Sequence, residues 1–186
     1  SPAAVSLGEL AEMDKTWMEN RQRAAGSIYL STLAIKHLCE TVGDVQTGEI
    51  GPPEIERLIT RRRAEVSART VNRELQALRA MFGRAVKVHK ILRDSPFAEI
   101  ELLRTIPRVI EPLSGEQKDA VLDACGGDAE LDMFVRLVLD TGCRADEIAN
   151  LLWKNLDFGR LIARIECRAD WATKSRENRE LPLTAE

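Results

Sequence analysis

The sequence contains few of the residues that metal and disulfide chemistry require. Its 186 residues include four cysteines, two histidines and one tyrosine. No two cysteines form a C-x-x-C pair, so the sequence lacks the ligand spacing of a zinc site. We expect neither a metal nor another cofactor, and free thiols in a reducing cytoplasm.

Long apolar runs and targeting signals are lacking as well. No apolar stretch approaches the ~20 residues that cross a bilayer. The first ten residues, SPAAVSLGEL, have neither the charged nor the apolar region of a secretory signal. With 44% hydrophobic and 31% charged residues, the composition predicts a soluble globular protein with no membrane partner and a cytoplasmic location.

A uniformly basic surface is excluded by the net charge of −3, yet the charge is unevenly distributed. Residues 61–93 carry ten Lys or Arg and two acidic residues, a net of +8. Residues 98–140 carry four basic and ten acidic residues, a net of −6. This asymmetry predicts two parts with different surfaces.

Residues 1–100 show helical periodicity and predict a domain of four helices. Pro52 and Pro53 suit the first turn of the third helix, and Ser67 is a candidate N-cap for the fourth. The apolar stripe of the fourth helix, at steps of three and four, comprises Val71, Leu75, Leu78, Phe82 and Ala85. The three arginines 61–63 are predicted to lie in a loop before it.

The segment that follows predicts a domain boundary. After RDSPFAEI, the residues 101–112 contain Pro107 and Pro112 and are expected to form an exposed linker. Residues 113–186 then predict an α+β domain. It begins with the capping box SGEQ, continues through three helices, and ends in a small antiparallel sheet whose hairpin carries Lys174.

The stretch TGCRADEIANLLW, residues 141–153, combines an amphipathic helix with charge at its start. Ile148 and the following leucines can face a core, and Trp153 is expected to pack as well, as is Trp171. Arg144 precedes Glu147 by three residues. Taken alone, such a pair is usually a weak surface ion pair.

Three segments together resemble the tyrosine recombinases, the phage-integrase family. The first is T-G-x-R-x-x-E with its apolar continuation, which here comprises Thr141, Gly142, Arg144, Glu147, Leu151, Leu152, Trp153, Asp157 and Phe158. The second, ATKSRENRELPL, resembles the hairpin lysine segment and contains Lys174, Arg179, Leu181, Pro182 and Leu183. The third, SARTVNRELQALRAMFGRAV, resembles the SAM-like core-binding domain, although Asp94-Ser95-Pro96 departs from the usual Asn-Pro.

The resemblance implies site-specific DNA recombination and integration through a 3′-phosphotyrosine link, without metal or cofactor. Arg144 would stabilise the scissile phosphate, Glu147 would orient Arg144, and Lys174 would protonate the leaving 5′-oxygen. The family's second arginine, later histidine or tryptophan, and nucleophilic tyrosine are not found in these 186 residues, and Tyr29 has no assigned role. We therefore expect a fragment, encoded by a phage, bacterium or mobile element, that binds DNA but does not cleave it.

The resemblance also implies a double-stranded attachment site as partner and a tetramer on DNA for the full-length protein. The basic block supplies the candidate DNA contacts, which are Arg61, Arg62, Arg63, Arg69, Asn72, Arg73 and Arg84. Such a charge run is by default only a solvated helix face. Two alternatives remain open at this stage: a non-catalytic DNA-binding remnant or regulator with the same fold, and an unrelated helical interaction module.

Overall fold

The computed structural model describes residues 4–107, 109–174 and 177–183. The chain divides into two compact units, Ser1–Arg108 and Val109–Glu186. The division falls inside the segment predicted as a linker. Within the described ranges, none of the helices is long and apolar enough to cross a membrane.

In residues 4–107, the first unit contains four α-helices and a short 3₁₀ turn, Thr47–Glu49. The helices are α1 (Leu7–Asn20), α2 (Ala25–Val42), α3 (Pro52–Glu65) and α4 (Ala68–Lys87). Helices α3 and α4 begin where the sequence supplies a start signal. The Ser67 hydroxyl accepts the Thr70 N–H at 3.3 Å, and the two prolines occupy the first turn of α3. The predicted four-helix organisation is confirmed.

The prediction that the three arginines 61–63 lie in a loop is wrong, because α3 continues through them to Glu65. The reason lies in the spacing of its buried side chains. Ile55, Leu58, Ile59 and Arg62 are all buried and follow each other at helical steps. A charged residue thus occupies the last position of an apolar stripe, and the run of charge conceals the helix in the sequence.

The core of the first unit is built around α4. All five residues of its predicted stripe are buried, which confirms that prediction. Phe82 packs against Phe97 with ring centroids 4.8 Å apart, and neither side chain is exposed. Burying an aromatic side chain of this size contributes roughly 1.5–3 kcal/mol.

The chain after α4 is held against this core as far as Leu103, so the first three residues of the predicted linker 101–112 pack with the first unit. Leu103 and the side-chain amide of Asn72 exchange two hydrogen bonds of 2.8 Å. The Arg79 guanidinium donates to the carbonyls of Phe97, at 2.9 Å, and Ile100. Side chains on α4 therefore satisfy backbone groups that have no partner strand.

Within its described residues, the second unit has three α-helices, a short 3₁₀ turn, Trp153–Asn155, and a three-stranded antiparallel sheet in the order β1-β2-β3. Its elements are α5 (Gly115–Asp123), α6 (Ala129–Thr141), α7 (Ala145–Ala149), β1 (Leu156–Asp157), β2 (Ile162–Ile165) and β3 (Arg179–Pro182). The predicted capping box is present, because the Ser114 hydroxyl accepts the Gln117 N–H and the Gln117 side chain accepts the Ser114 N–H. The α+β prediction is confirmed.

The core of the second unit is small. Cys143, Ile148 and Ile165 are buried at its centre, with Phe134 and Trp171 among the partly buried residues around them. The packing predicted for Trp171 is thus confirmed. Trp153, by contrast, is 73% exposed, so its predicted packing is wrong. The helix α7 ends at Ala149, before the leucines that precede Trp153.

Candidate functional site

The helix α7 begins at a position fixed by Gly142. This residue ends α6 in the left-handed conformation, with φ of 63°, which glycine adopts without the steric cost of a Cβ. The chain turns there, and Arg144 becomes the N-cap of α7 with its side chain 57% exposed. Because α7 has only five residues, its dipole is small, and the guanidinium itself is the main positive group at this point.

Glu147 holds Arg144 in place from inside the unit. The Glu147 side chain is only 2% exposed. Its Oε2 accepts the backbone N–H of Arg144 at 3.0 Å, and its Oε1 accepts the Arg144 Nη1 at 3.0 Å. The carboxylate thus fixes both the backbone and the head group of the same arginine.

A second arginine reaches the same carboxylate from the sheet. Arg179, the first residue of β3, donates from Nη2 to Glu147 Oε2 at 2.5 Å. The Arg179 side chain is 37% exposed. One buried negative charge therefore lies between two positive charges, each partly open to solvent.

These contacts determine the ionisation of Glu147. Burial by itself would raise the pKa of Glu147. The hydrogen bonds from the backbone and side chain of Arg144, together with the charge of Arg179, outweigh burial and lower the pKa of Glu147 below its ordinary value. Glu147 is therefore a carboxylate at neutral pH, able to orient cations and unable to donate a proton.

Lys174 lies in a turn of the segment between β2 and β3, and its side chain is exposed. Among the residues that the structure describes, it has no hydrogen bond or ion pair. The residues before Lys174 in this segment are attached to α7 and to Asn150, the residue that follows α7. The Trp171 indole N–H donates to Asp146 at 2.9 Å, and Arg168 donates to the Asn150 carbonyl at 2.8 Å. Arg168 and Trp171 also lie in cation–π contact.

The sequence interpretation identifies Arg144 and Glu147 and misses the contact made by Arg179. A signal is present in the strand pattern. Arg179 and Leu181 share one face of β3, and both are less exposed than Glu180 and Pro182. A charged residue on the inward face of a strand requires a buried partner of opposite charge.

In the first unit, Arg62 is used internally. Its guanidinium donates to both oxygens of Glu74, at 3.0 and 2.8 Å, and also pairs with Glu65. Glu74 is 2% exposed and also lies 3.2 Å from His37 Nδ1. Arg62 is itself buried, so its prediction as a DNA contact does not fit its position.

Arg84 and Asn72 are also engaged within the unit. Arg84 donates to both oxygens of the fully buried Asp14, at 2.5 and 2.8 Å, and stacks near Trp17. Asn72 is occupied by the backbone of Leu103. Both side chains have a structural use that the sequence interpretation does not foresee.

The remaining predicted contacts lie on the surface. Arg61 pairs with the exposed Glu40 at 3.2 Å. Arg63, Arg69 and Arg73 are exposed, and none of them has a hydrogen bond or ion pair to any residue within the described ranges. Arg73 lines a cavity of about 350 Å³, together with Arg23, Ser27, Gln76 and others.

Side chains that bind metals do not cluster in the described part of the chain. No group of three or more histidine, cysteine, aspartate or glutamate side chains is placed there to hold a metal ion. The cysteines Cys39, Cys125, Cys143 and Cys167 are free thiols. The groups that the candidate site offers for chemistry are its arginines, the lysine and the buried carboxylate.

Comparison with solved structures finds this fold in DNA-bound integrases. A lambda integrase dimer bound to a COC′ core site matches with a TM-score of 0.79 and 15% identity, over 97% of this chain and 49% of that one. A lambda integrase tetramer bound to a Holliday junction gives 0.79 and 16%, over 96% and 51%. The Tn1549 transposon integrase with circular intermediate DNA gives 0.68 and 19%, over 98% and 62%. The chain thus spans about half to three fifths of their lengths.

Family models match nearly the whole chain. The model described as "Phage integrase, N-terminal domain" matches residues 8–104, and "Phage integrase family" matches residues 111–186. No curated protein sequence matches the chain. An unrelated helical interaction module is excluded by these two family matches. The chain belongs to the phage integrase family, the tyrosine recombinases.

Proposed function

We propose that this chain binds a double-stranded DNA attachment site and supplies part of the active site for site-specific recombination. The observation that carries the proposal is the presentation of Arg144. A buried carboxylate orients it, yet its side chain remains 57% exposed, in the same unit as the segment that bears Lys174. A fixed, solvent-accessible guanidinium is suited to a phosphate, because its planar fork matches two phosphate oxygens.

In the proposed reaction, a tyrosine attacks a DNA phosphodiester, a 3′-phosphotyrosine bond forms, and the bond to the 5′-oxygen breaks. Arg144 stabilises the charge on the non-bridging oxygens during this step. Lys174 donates a proton to the leaving 5′-oxygen, and its exposed position leaves it free to approach that atom. The tyrosine and the second arginine of the family pattern are not among these 186 residues, so the whole reaction belongs to the full-length protein, acting on DNA as a tetramer.

The proposed DNA-contacting surface lies on α4 and on the segment before α2, where Arg23 lines the same cavity as Arg73. Arg69, Arg73 and Gln76 follow each other at helical steps on the exposed side of α4. Residues 21–39 contain three Lys or Arg and no acidic residue. Arg63 and Arg61 extend the positive charge onto α3. Arg62, Asn72 and Arg84 support this surface from below and are not part of the proposed contact.

The test is the salt dependence of DNA binding, measured by fluorescence anisotropy with a labelled duplex. We expect the Kd of the wild-type chain to rise with salt concentration. Arg69→Ala and Arg73→Ala should each reduce the log–log slope by about one, because each lost phosphate contact releases about one counterion fewer. Arg136→Ala is the matched control, since Arg136 is an exposed arginine paired with Asp132 in α6. Salt-independent binding, or unchanged slopes in both variants, would contradict the proposal.

A non-catalytic DNA-binding regulator is the second candidate. It would bind DNA through the exposed arginines of the first unit, such as Arg69 and Arg73, and would need no covalent step. The two candidates differ in covalent chemistry. Incubating the full-length gene product with a nicked attachment-site substrate should trap a phosphotyrosyl adduct if the protein is a recombinase, and should trap none if it is a regulator.

A further inference from the structure

We infer that Arg179 is a positioning residue that acts through Glu147 to keep donors of Arg144 free for a ligand, and that it also fixes one end of the segment that carries Lys174. This inference rests on the proposed function. Arg179 belongs to β3, whereas Arg144 is the N-cap of α7. The carboxylate between them joins the two, since Arg179 contacts it at 2.5 Å and Arg144 at 3.0 Å.

The two oxygens of Glu147 accept hydrogen bonds from different donors, and this arrangement supports the positioning role of Arg179. Oε1 accepts the Arg144 guanidinium, and Oε2 accepts both the Arg144 backbone N–H and Arg179. Without Arg179, Oε2 would keep only the backbone contact. The carboxylate could then rotate and bring both oxygens to the Arg144 head group. Arg179 thus prevents Glu147 from closing a two-oxygen pair on Arg144 and leaves donors of Arg144 free for a ligand.

The position of Arg179 along the chain extends its effect to Lys174. Before the turn, the segment that carries Lys174 is anchored by Trp171 to Asp146 and by Arg168 to Asn150. After the turn, Arg179 anchors the segment to α7 through Glu147. The exposed lysine therefore lies between two attachment points that are both fixed relative to Arg144.

The burial of Glu147 means that few other donors could replace its contact with Arg179. Glu147 is 2% exposed, so water cannot easily replace a lost donor. Arg179 Nε is also buried and, within the described part of the chain, has no hydrogen-bond partner. The guanidinium is held by its Nη2 contacts, to Glu147 and at 3.8 Å to the Cys143 sulfur. The strand supplies the arginine chiefly for this carboxylate.

The experiment measures the order of the Arg144 guanidinium by ¹⁵N NMR, as the rate of rotation about its Cζ–Nε bond, in the DNA-free chain. Arg179→Ala should slow this rotation several-fold and shift the Arg144 signal, because Glu147 then brings both oxygens to the Arg144 head group. Arg179→Lys should restore most of the wild-type behaviour, because an ammonium can also reach Oε2. Arg164→Ala is the matched control, since Arg164 pairs across the same sheet with the exposed Glu180 at 2.9 Å.

A double-mutant cycle with Glu147→Gln separates positioning from general stability. If Arg179 acts through Glu147, then Arg179→Ala should have little further effect on Arg144 in the Glu147→Gln background. An equal effect of Arg179→Ala in both backgrounds, or an Arg144 signal that Arg179→Ala leaves unchanged, would overturn the inference.

A second pair of variants keeps the inference testable if Arg179→Ala does not fold. Arg179→Lys keeps a cation at this position, whereas Arg179→Gln keeps a long polar side chain without the charge. Wild-type order of the Arg144 guanidinium in Arg179→Lys, with altered order in Arg179→Gln, would support the inference. The same Arg144 signal in both variants would overturn it.

The failure of this inference can be distinguished from failure of the proposed function. Addition of a DNA duplex should shift the Arg144 signal in the wild-type chain, and this shift should be reduced in Arg179→Ala while the Arg69 and Arg73 signals respond as before. A wild-type Arg144 signal that ignores DNA would contradict the phosphate role of Arg144. The DNA-free measurements would still report whether Arg179 positions it.

Discussion

The two units both bury carboxylates against arginines, and they differ in how much of the arginine remains exposed. In the first unit, Glu74 and Asp14 each bind one guanidinium with both oxygens, and the side chains of Arg62 and Arg84 are 9% and 19% exposed. In the second unit, Glu147 divides its oxygens between two arginines, and Arg144 stays 57% exposed.

This difference separates arginines that stabilise the fold from an arginine whose charge is available to a ligand. A guanidinium whose donors are consumed by one buried carboxylate has little left for a ligand, and removal of the carboxylate leaves a buried charge. A guanidinium held at one edge keeps its remaining donors in solvent. The first unit therefore uses buried arginines to fix its helices. The second uses a buried glutamate to aim an arginine outward.

The largest effect on stability should come from breaking a closed pair, in which one buried carboxylate binds one guanidinium with both oxygens. Glu74→Ala leaves Arg62 buried without its main partner and should lower the free energy of unfolding of the first unit by ~3–5 kcal/mol. Urea unfolding followed by the amide signals of α4 measures this. Glu65→Ala is the control, because Glu65 also contacts Arg62 but is exposed, and it should cost only about 0–1 kcal/mol. Equal losses of stability in the two variants would mean that the buried partner of Arg62 matters no more than its exposed partner.

A smaller loss of stability is expected at the open pair, in which Glu147 divides its two oxygens between Arg144 and Arg179. Glu147→Ala removes a buried acceptor, but both of its arginines can turn to water because they are partly exposed. The free energy of unfolding of the second unit should fall by ~1–3 kcal/mol, as read from the amide signals of β2 in urea. A loss as large as that of Glu74→Ala would mean that the fold depends on Arg144 and Arg179 as strongly as on Arg62.

The pH dependence of the second unit should report Glu147 directly. Its folded pKa is lowered, so its contribution to stability is complete above the unfolded value of about 4.3 and is lost as the pH falls through the folded pKa. The stability difference between wild type and Glu147→Gln should therefore shrink below that pH. Asp170, whose pKa is lowered by its hydrogen bond from Arg168, is present in both proteins and cancels. A difference that does not change with pH would contradict the ionised, doubly paired state.

How much of the fold can be predicted depends on the range of the interaction. The stripe of α4 and the cap at Ser114 follow from spacing within one element, and the sequence predicts both. The Asn72 contact with Leu103 and the pairing of Arg84 with Asp14 join residues far apart in sequence. Nothing local distinguishes such residues from solvated ones, so the sequence assigns them to the DNA surface instead.

The candidate site shows the same dependence on range. Arg144 and Glu147 are three residues apart and carry a family pattern, so the sequence predicts the pair. It does not predict how short α7 is, because the apolar spacing continues through Leu151 and Leu152 although the helix stops at Ala149. Arg179 lies 32 residues beyond Glu147, and its contact depends on the register of β3, which the sequence does not specify.

The smallest effect on stability should come from Arg144 itself. Arg144→Ala should change the free energy of unfolding by less than about 1 kcal/mol, because the pair is exposed on the arginine side and Arg179 still neutralises Glu147. Thermal unfolding of the two proteins in parallel measures this. A larger loss would show that Arg144 is held for the fold rather than for a ligand.

The most direct measurement of the central claim is the salt dependence of DNA binding by Arg144→Ala and Arg144→Lys beside wild type. An arginine that contacts a phosphate predicts a log–log slope reduced by about one in Arg144→Ala. In Arg144→Lys the slope should largely be kept and the affinity lowered, because the ammonium keeps the charge but loses the fork. Wild-type slope and wild-type affinity in both variants would contradict the claim that Glu147 presents Arg144 to DNA.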